Sequence, residues 1–126
     1  MVSLKTEVGS LKLERPGIVA SGIMDETGPS MVRMIECGAG AVVTKSVGLE
    51  PNAGHANPCF TEVEGGYVNA MGLPNPGIEL FREEMEVAVP KGSIIGSIYG
   101  AGPDDFSKLA GKMEDYGACA VELKLS

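Results

Sequence analysis

The chain has 126 residues, 44% of them apolar, with 18 glycines, 8 prolines and no tryptophan. That length suits one domain, and the apolar content supplies a core of Val, Ile, Leu, Ala and Met, which excludes a disordered segment. A formal net charge of −7 with no basic run excludes nucleic acid and an anionic membrane surface as partners.

Leu4, Val8, Leu11 and Leu13 alternate around Gly9-Ser10, so residues 1–15 or so read as an N-terminal β-hairpin, closed by Pro16-Gly17. Gly17–Ser21 is a short apolar run of the kind carried by buried strands. Asp25–Cys37 has helical spacing, with Met31, Met34 and Ile35 on one side and Gly38 as a stop. Ala41–Lys45 reads as a second buried strand. Ser46–Tyr67 is rich in Gly, Pro and Asn. A stretch of that length without a helical pattern predicts a functional loop or a small excursion with its own strands.

Pro76 opens a helix running to about Val87, with Glu79, Glu83, Glu84 and Glu86 as one solvated face. Ser93–Ile98 is a third strand. Pro103 starts a third helix, with Asp104 and Asp105 suited to its positive end, and this helix stops near Tyr116-Gly117. Ala118–Ser126 is a fourth strand. Hairpin and then β-α-β-α-β-α-β predicts an α/β fold in a single domain over residues 1–126, with a parallel sheet and right-handed crossovers. An open doubly wound sheet and part of a (βα)8 barrel share this pattern. A whole barrel takes roughly 250 residues, so the chain supplies four strands of eight.

No stretch approaches the ~18 apolar residues of a membrane-spanning helix, and the first ten residues lack the apolar core of a signal peptide. A soluble, cytoplasmic protein is expected. Cys37, Cys59 and Cys119 are too far apart for a CxxC motif, and their odd number argues against a disulfide framework. No metal site is expected. His55, the one histidine, lies in the loop sequence Gly54–Pro58 and reads as a surface residue before a catalytic one.

In either architecture ligands bind at the carboxyl ends of the strands. Those ends are Ala20-Ser21-Gly22, Thr44-Lys45-Ser46, Ser97–Gly100 and Glu122–Ser126. Small and hydroxylated residues let a flat ring approach the backbone. Lys45 places a cation there, and a snorkelling surface lysine explains the position equally well. Tyr67–Gly77 encloses a short turn with two prolines and two glycines. Such a turn can aim backbone N–H groups at an anion or carbonyl, and Asn69 adds an amide that both donates and accepts. A capped helix start accounts for the same residues. Gly22 with Gly28, and Gly38 with Gly40, do not complete a dinucleotide fingerprint, and no Walker sequence is present. Gly100–Gly102 reads as a tight turn before a phosphate site.

Three strings, Val19–Gly22, Ala41–Ser46 and above all Val68-Asn-Ala-Met-Gly-Leu-Pro-Asn-Pro-Gly77, resemble dihydroorotate dehydrogenases in order and spacing. The hairpin and Val121–Ser126 fit as well, so the resemblance covers the whole chain. It is closest to the class 1 enzymes, in particular to the catalytic subunit of the type with a separate electron-transfer subunit. The resemblance implies the N-terminal half of a (βα)8 TIM barrel with FMN at its mouth. It implies that Ser21, Lys45 and Ser46 contact FMN. Lys45 would also touch orotate, and Asn69, Ala70, Met71, Gly72 and Leu73 would form the pyrimidine-binding loop. The implied reaction is oxidation of dihydroorotate to orotate in pyrimidine biosynthesis. A base removes a proton from C5 as hydride passes from C6 to flavin N5, and Lys45 stabilises the negative charge of reduced flavin and substrate carboxylate.

Two positions depart from the family pattern. Lys124 stands where the family usually has an Asn that touches flavin and substrate, and Cys59-Phe60 where related sequences carry a Pro-Arg type of pair. The resemblance puts the catalytic cysteine beyond Ser126, so no catalytic residue is expected within the chain and the chain alone is expected to be inactive. A non-catalytic half-barrel that binds or folds, and a related pyrimidine-reducing flavin barrel, are the competing readings. Four strands with open edges lead to an expected homo-oligomer.

Overall fold

The computed structural model describes residues 2–125; Met1 of the expected hairpin and Ser126 of the expected last strand lie outside the described residues. Two short strands, β1 (Thr6–Val8) and β2 (Leu11–Leu13), pair antiparallel with Val8 opposite Leu11. The two residues between them make the turn, with Gly9 at φ 60°. There follow β3 (Ile18–Val19), α1 (Gly28–Glu36) and β4 (Ala41–Val43). Next come β5 (Phe60–Val63), β6 (Gly66–Asn69) and α2 (Ile78–Ala88), which runs on as a 3-10 turn over Val89–Lys91. The described chain ends with β7 (Ile94–Tyr99), α3 (Pro103–Asp115) and β8 (Ala120–Lys124).

β3, β4, β7 and β8 form one four-stranded sheet in that order, parallel throughout. The order follows the chain without the reversal that makes a doubly wound sheet. Ser46–Tyr67 is in part an excursion with its own strands: β5 pairs antiparallel with β6, and Phe60 stacks on Tyr67 at 5.2 Å between ring centroids. Val42, Ile94 and Ile98 from the sheet share one core with Met31 of α1, Phe81 and Met85 of α2, and Leu109 and Met113 of α3. All three helices therefore bury their apolar stripes against the same sheet.

Three expectations need correction. The helix expected from Asp25 starts at Gly28, because Thr27 is extended and its side chain takes the Ser30 N–H in a capping box. Glu84 is not part of a solvated face. Its carboxylate accepts the Gly28 N–H at the start of α1, where a negative charge complements the helix dipole. A Cβ on Gly28 would stand 2.7 Å from the Glu84 carbonyl oxygen and from the Val87 Cβ, so glycine permits this close approach of α1 to α2. The run Gly17–Ser21 is no buried strand: only Ile18 and Val19 pair, and Ile18 is 39% exposed, because β3 is a sheet edge.

Candidate ligand cavity at the strand ends

The carboxyl ends of β3, β4 and β8 meet the loop after β6 around a cavity of about 470 Å³. Ser21, Lys45 and Ser46 line it from the strand ends, and Asn69, Ala70, Met71, Gly72 and Leu73 from the loop. These are all the residues that the sequence assigned to cofactor or pyrimidine, brought together from positions up to 52 apart in the chain (73 − 21). Gly22 and Lys124 line the same space.

Lys45 is not a snorkelling surface residue. It is 7% exposed, and its Nζ donates to the Gly22 carbonyl oxygen at 2.7 Å. Glu26 Oε1 lies 3.3 Å from the same nitrogen, and the Lys45 N–H donates to the Asp25 carbonyl at 3.2 Å. The ammonium is thus held by the loop after β3 and partly balanced by one carboxylate.

Asp25 is fully buried beneath that loop. One carboxyl oxygen accepts the Gly22 N–H at 2.8 Å, and the other has no partner among the described residues. Burial raises its pKa above the ordinary carboxylate value, with the Gly22 N–H and the Lys45 charge pulling the other way. The sequence reading missed Asp25 as a site neighbour by placing it on the helix. The available signal was an acidic residue just after a strand end and just before a Thr-Gly-Pro cap.

A line of oxygens crosses the sheet next to the cavity. Ser21 Oγ lies 3.4 Å from Ser46 Oγ, Ser46 Oγ lies 2.9 Å from Ser97 Oγ, and Ser97 Oγ donates to Glu122 Oε1 at 2.9 Å. Thr44 Oγ1 accepts the Ser97 N–H at 2.9 Å and donates to the Lys45 carbonyl at 3.0 Å. Ser97 is fully buried.

The loop over the cavity takes its shape from Asn75, which the sequence reading passed over. Its Oδ1 accepts the N–H groups of Gly77 and Gly48 at 3.0 and 3.3 Å. Its Nδ2 donates to the Leu73 carbonyl and to the Tyr99 hydroxyl, both at 2.9 Å. Gly72 at φ 75° and Leu73 at φ 55° make the reversal. The expected nest of free N–H groups is reduced, because the Ala70 N–H donates to the Cys59 carbonyl at 2.7 Å. His55 is exposed, and its ring leaves no room for a Cβ on Gly72. On the next turn, the Ala101 N–H donates to Asp105, so a side chain of α3 already occupies the Gly100–Gly102 turn.

No cysteine lines the cavity. Cys37 ends α1, Cys59 sits beside Asn57, and Cys119 donates to the Ile94 carbonyl at the amino end of the sheet. Burial raises the pKa of the Cys119 thiol. Among the described residues no three His, Cys, Asp or Glu side chains gather to hold a metal. No helix among them is long and apolar enough to cross a membrane.

A family model described as dihydroorotate dehydrogenase matches residues 3–126. The catalytic subunit of dihydroorotate dehydrogenase B (NAD(+)) from Methanocaldococcus jannaschii is 48% identical over 128 residues, covering 98% of this chain and 42% of that protein. The subunit of the same name from Methanocella arvoryzae is 46% identical over 126 residues, covering 99% of this chain and 41% of the relative. A third, from Thermoplasma volcanium, is 46% identical over 127 residues, covering 100% and 42%. The chain thus spans about two-fifths of the length of these curated relatives.

Proposed function

This chain belongs to the dihydroorotate dehydrogenase family, and on that premise we propose that its cavity binds FMN and a dihydroorotate or orotate ring. The reaction is flavin-dependent oxidation of dihydroorotate in pyrimidine biosynthesis, on a cytoplasmic (βα)8 barrel of which this stretch forms four strands. One observation carries the reading: Ser21, Lys45 and Ser46 from the strand ends and Asn69–Leu73 from the loop line a single cavity. The unreversed strand order supports the barrel.

The residues present fit the cofactor. The volume of about 470 Å³ falls within the ~300–1,000 Å³ of small-molecule sites. Apart from Gly22 and its two chain neighbours, no atom among the described residues lies within 4 Å of where a Gly22 Cβ would stand, so a flat ring can reach the backbone there. When bound, FMN supplies the hydride acceptor. Lys45 and Ser46, just after β4, and Ser21, just after β3, would hold it.

Lys45 offers a fixed cation to negative charge on the ring or the substrate carboxylate. Such a charge is effective because it is already oriented and only slightly hydrated. Asn69 matches the alternating donors and acceptors of a pyrimidine edge, and Ala70–Leu73 cover the ring. Lys124 adds a second cation to the lining. None of the three cysteines is a base for this cavity, so the 126-residue stretch by itself is a binding half without turnover. The relatives' names as catalytic subunits support a separate electron-transfer subunit as partner.

The test is FMN and orotate binding by the full-length protein, read from the visible flavin band and its shift on adding orotate. Lys45→Ala and Asn69→Ala should weaken the orotate-induced shift at least tenfold in concentration. A protein that carries no flavin would sink the reading.

A further inference from the structure

The line Ser21–Ser46–Ser97–Glu122 has a direction, and counting protons reveals it. A carboxylate has none to give, so the last bond runs from Ser97 to Glu122, at 2.9 Å. That uses the only hydroxyl proton of Ser97. The 2.9 Å contact between Ser46 and Ser97 therefore has Ser46 as donor, which uses the proton of Ser46. Ser21 Oγ, 3.4 Å from Ser46 Oγ, can then donate to Ser46 but cannot accept from it. The protons of Ser46 and Ser97 both point along the sheet toward β8. Ser46, which lines the cavity, has only a lone pair left for whatever binds there. Lys45 and Lys124 in the same lining can only donate. One cavity thus carries an acceptor wall and a donor wall.

We propose that Glu122 and Ser97 are positioning residues that hold Ser46 as an acceptor, and that its side of the cavity takes a ring N–H of the bound ligand. The inference rests on the reading that FMN occupies the cavity. Reduction turns an isoalloxazine ring nitrogen from an acceptor into an N–H donor, so an acceptor wall favours the reduced form. Hydrogen bonds to ring nitrogens are a protein's means of tuning a flavin. Glu122 reaches the ligand only through two hydroxyls, and Ser97 lies behind the cavity wall.

The experiment is potentiometric titration of the full-length, FMN-loaded protein, with the visible flavin band as readout. Ser97→Ala and Glu122→Leu each free the Ser46 proton to turn toward the cavity. Each should lower the preference for reduced over oxidised FMN about tenfold, or ~30 mV in a two-electron potential. Ser97→Thr, which keeps the hydroxyl, should restore the wild-type value. A direct charge effect would do the reverse: Glu122→Leu would raise the potential and Ser97→Ala would leave it unmoved. That pattern, or no shift in either variant, overturns the proposal. If Glu122→Leu does not fold, Ser97→Ala against Ser97→Thr decides it alone. A wild-type protein with no flavin band would overturn the functional reading itself, and the inference with it, whereas an unshifted potential in flavin-loaded variants overturns only the inference.

Discussion

The Lys45 ammonium stands 2.7 Å from the carbonyl oxygen of Gly22, and the Gly22 N–H is in turn held by the buried carboxyl of Asp25 at 2.8 Å. The cation of the cavity is thus placed by the loop after β3, not by the end of β4 alone. Its position is set before any ligand arrives.

In the full-length protein, Lys45→Ala should lower the turnover of dihydroorotate by about 10²-fold, since removing a preoriented electrostatic stabiliser costs ~3 kcal/mol. Steady-state kcat with saturating dihydroorotate is the measurement. An unchanged kcat would take Lys45 out of the mechanism.

Asp25 should make the fold pH-sensitive. Its pKa is raised in the folded state by burial, so the folded chain binds this proton more tightly than the unfolded chain. The stabilisation is fully present below the unfolded value near pH 4 and is lost as pH rises through the raised value. Urea unfolding of wild type and Asp25→Asn across that window should show a decline with pH in the wild type that is smaller in the variant. Parallel curves would show that Asp25 titrates normally.

Asn75 makes four side-chain hydrogen bonds while only 9% exposed. Asn75→Ala leaves the Gly48 and Gly77 N–H groups unpartnered, and each buried unsatisfied donor costs ~1–3 kcal/mol. Denaturant unfolding should show a loss of at least ~2 kcal/mol. Hydrogen exchange should rise over residues 69–77. Wild-type stability with unchanged exchange would mean that the loop is shaped elsewhere.

The 126-residue chain alone should self-associate at micromolar concentration. β8 is a sheet edge with Leu123 52% exposed, and an unpaired edge is a template for another strand. Light scattering should give a mass above that of the 13.0 kDa monomer. A monodisperse monomer would contradict this.

The elements that recur locally were legible in the sequence. The helices at Pro76 and Pro103 and the strands at 41–45 and 93–98 have structural counterparts within a few residues. Apolar spacing and proline position act over a few residues, and backbone geometry responds over the same range. The cavity residues were legible through the strings around Ser21, Lys45 and Asn69, helped by the rule that parallel sheets bind at their carboxyl ends.

Tertiary structure decided what depends on partners far along the chain. Asp25 reads as a helix start, yet it is buried, and its carbonyl takes the N–H of Lys45 from twenty residues on. Glu84 reads as solvated, yet it caps a helix fifty-six residues before it. Ser97 looks like any strand serine, and only the pairing of β4, β7 and β8 sets it between Ser46 and Glu122. Hydroxyl and carboxylate groups bond with whatever oxygen or nitrogen the packed chain brings within about 3 Å. Side-chain type states what each group can do, and the packing of distant strands chooses its partner.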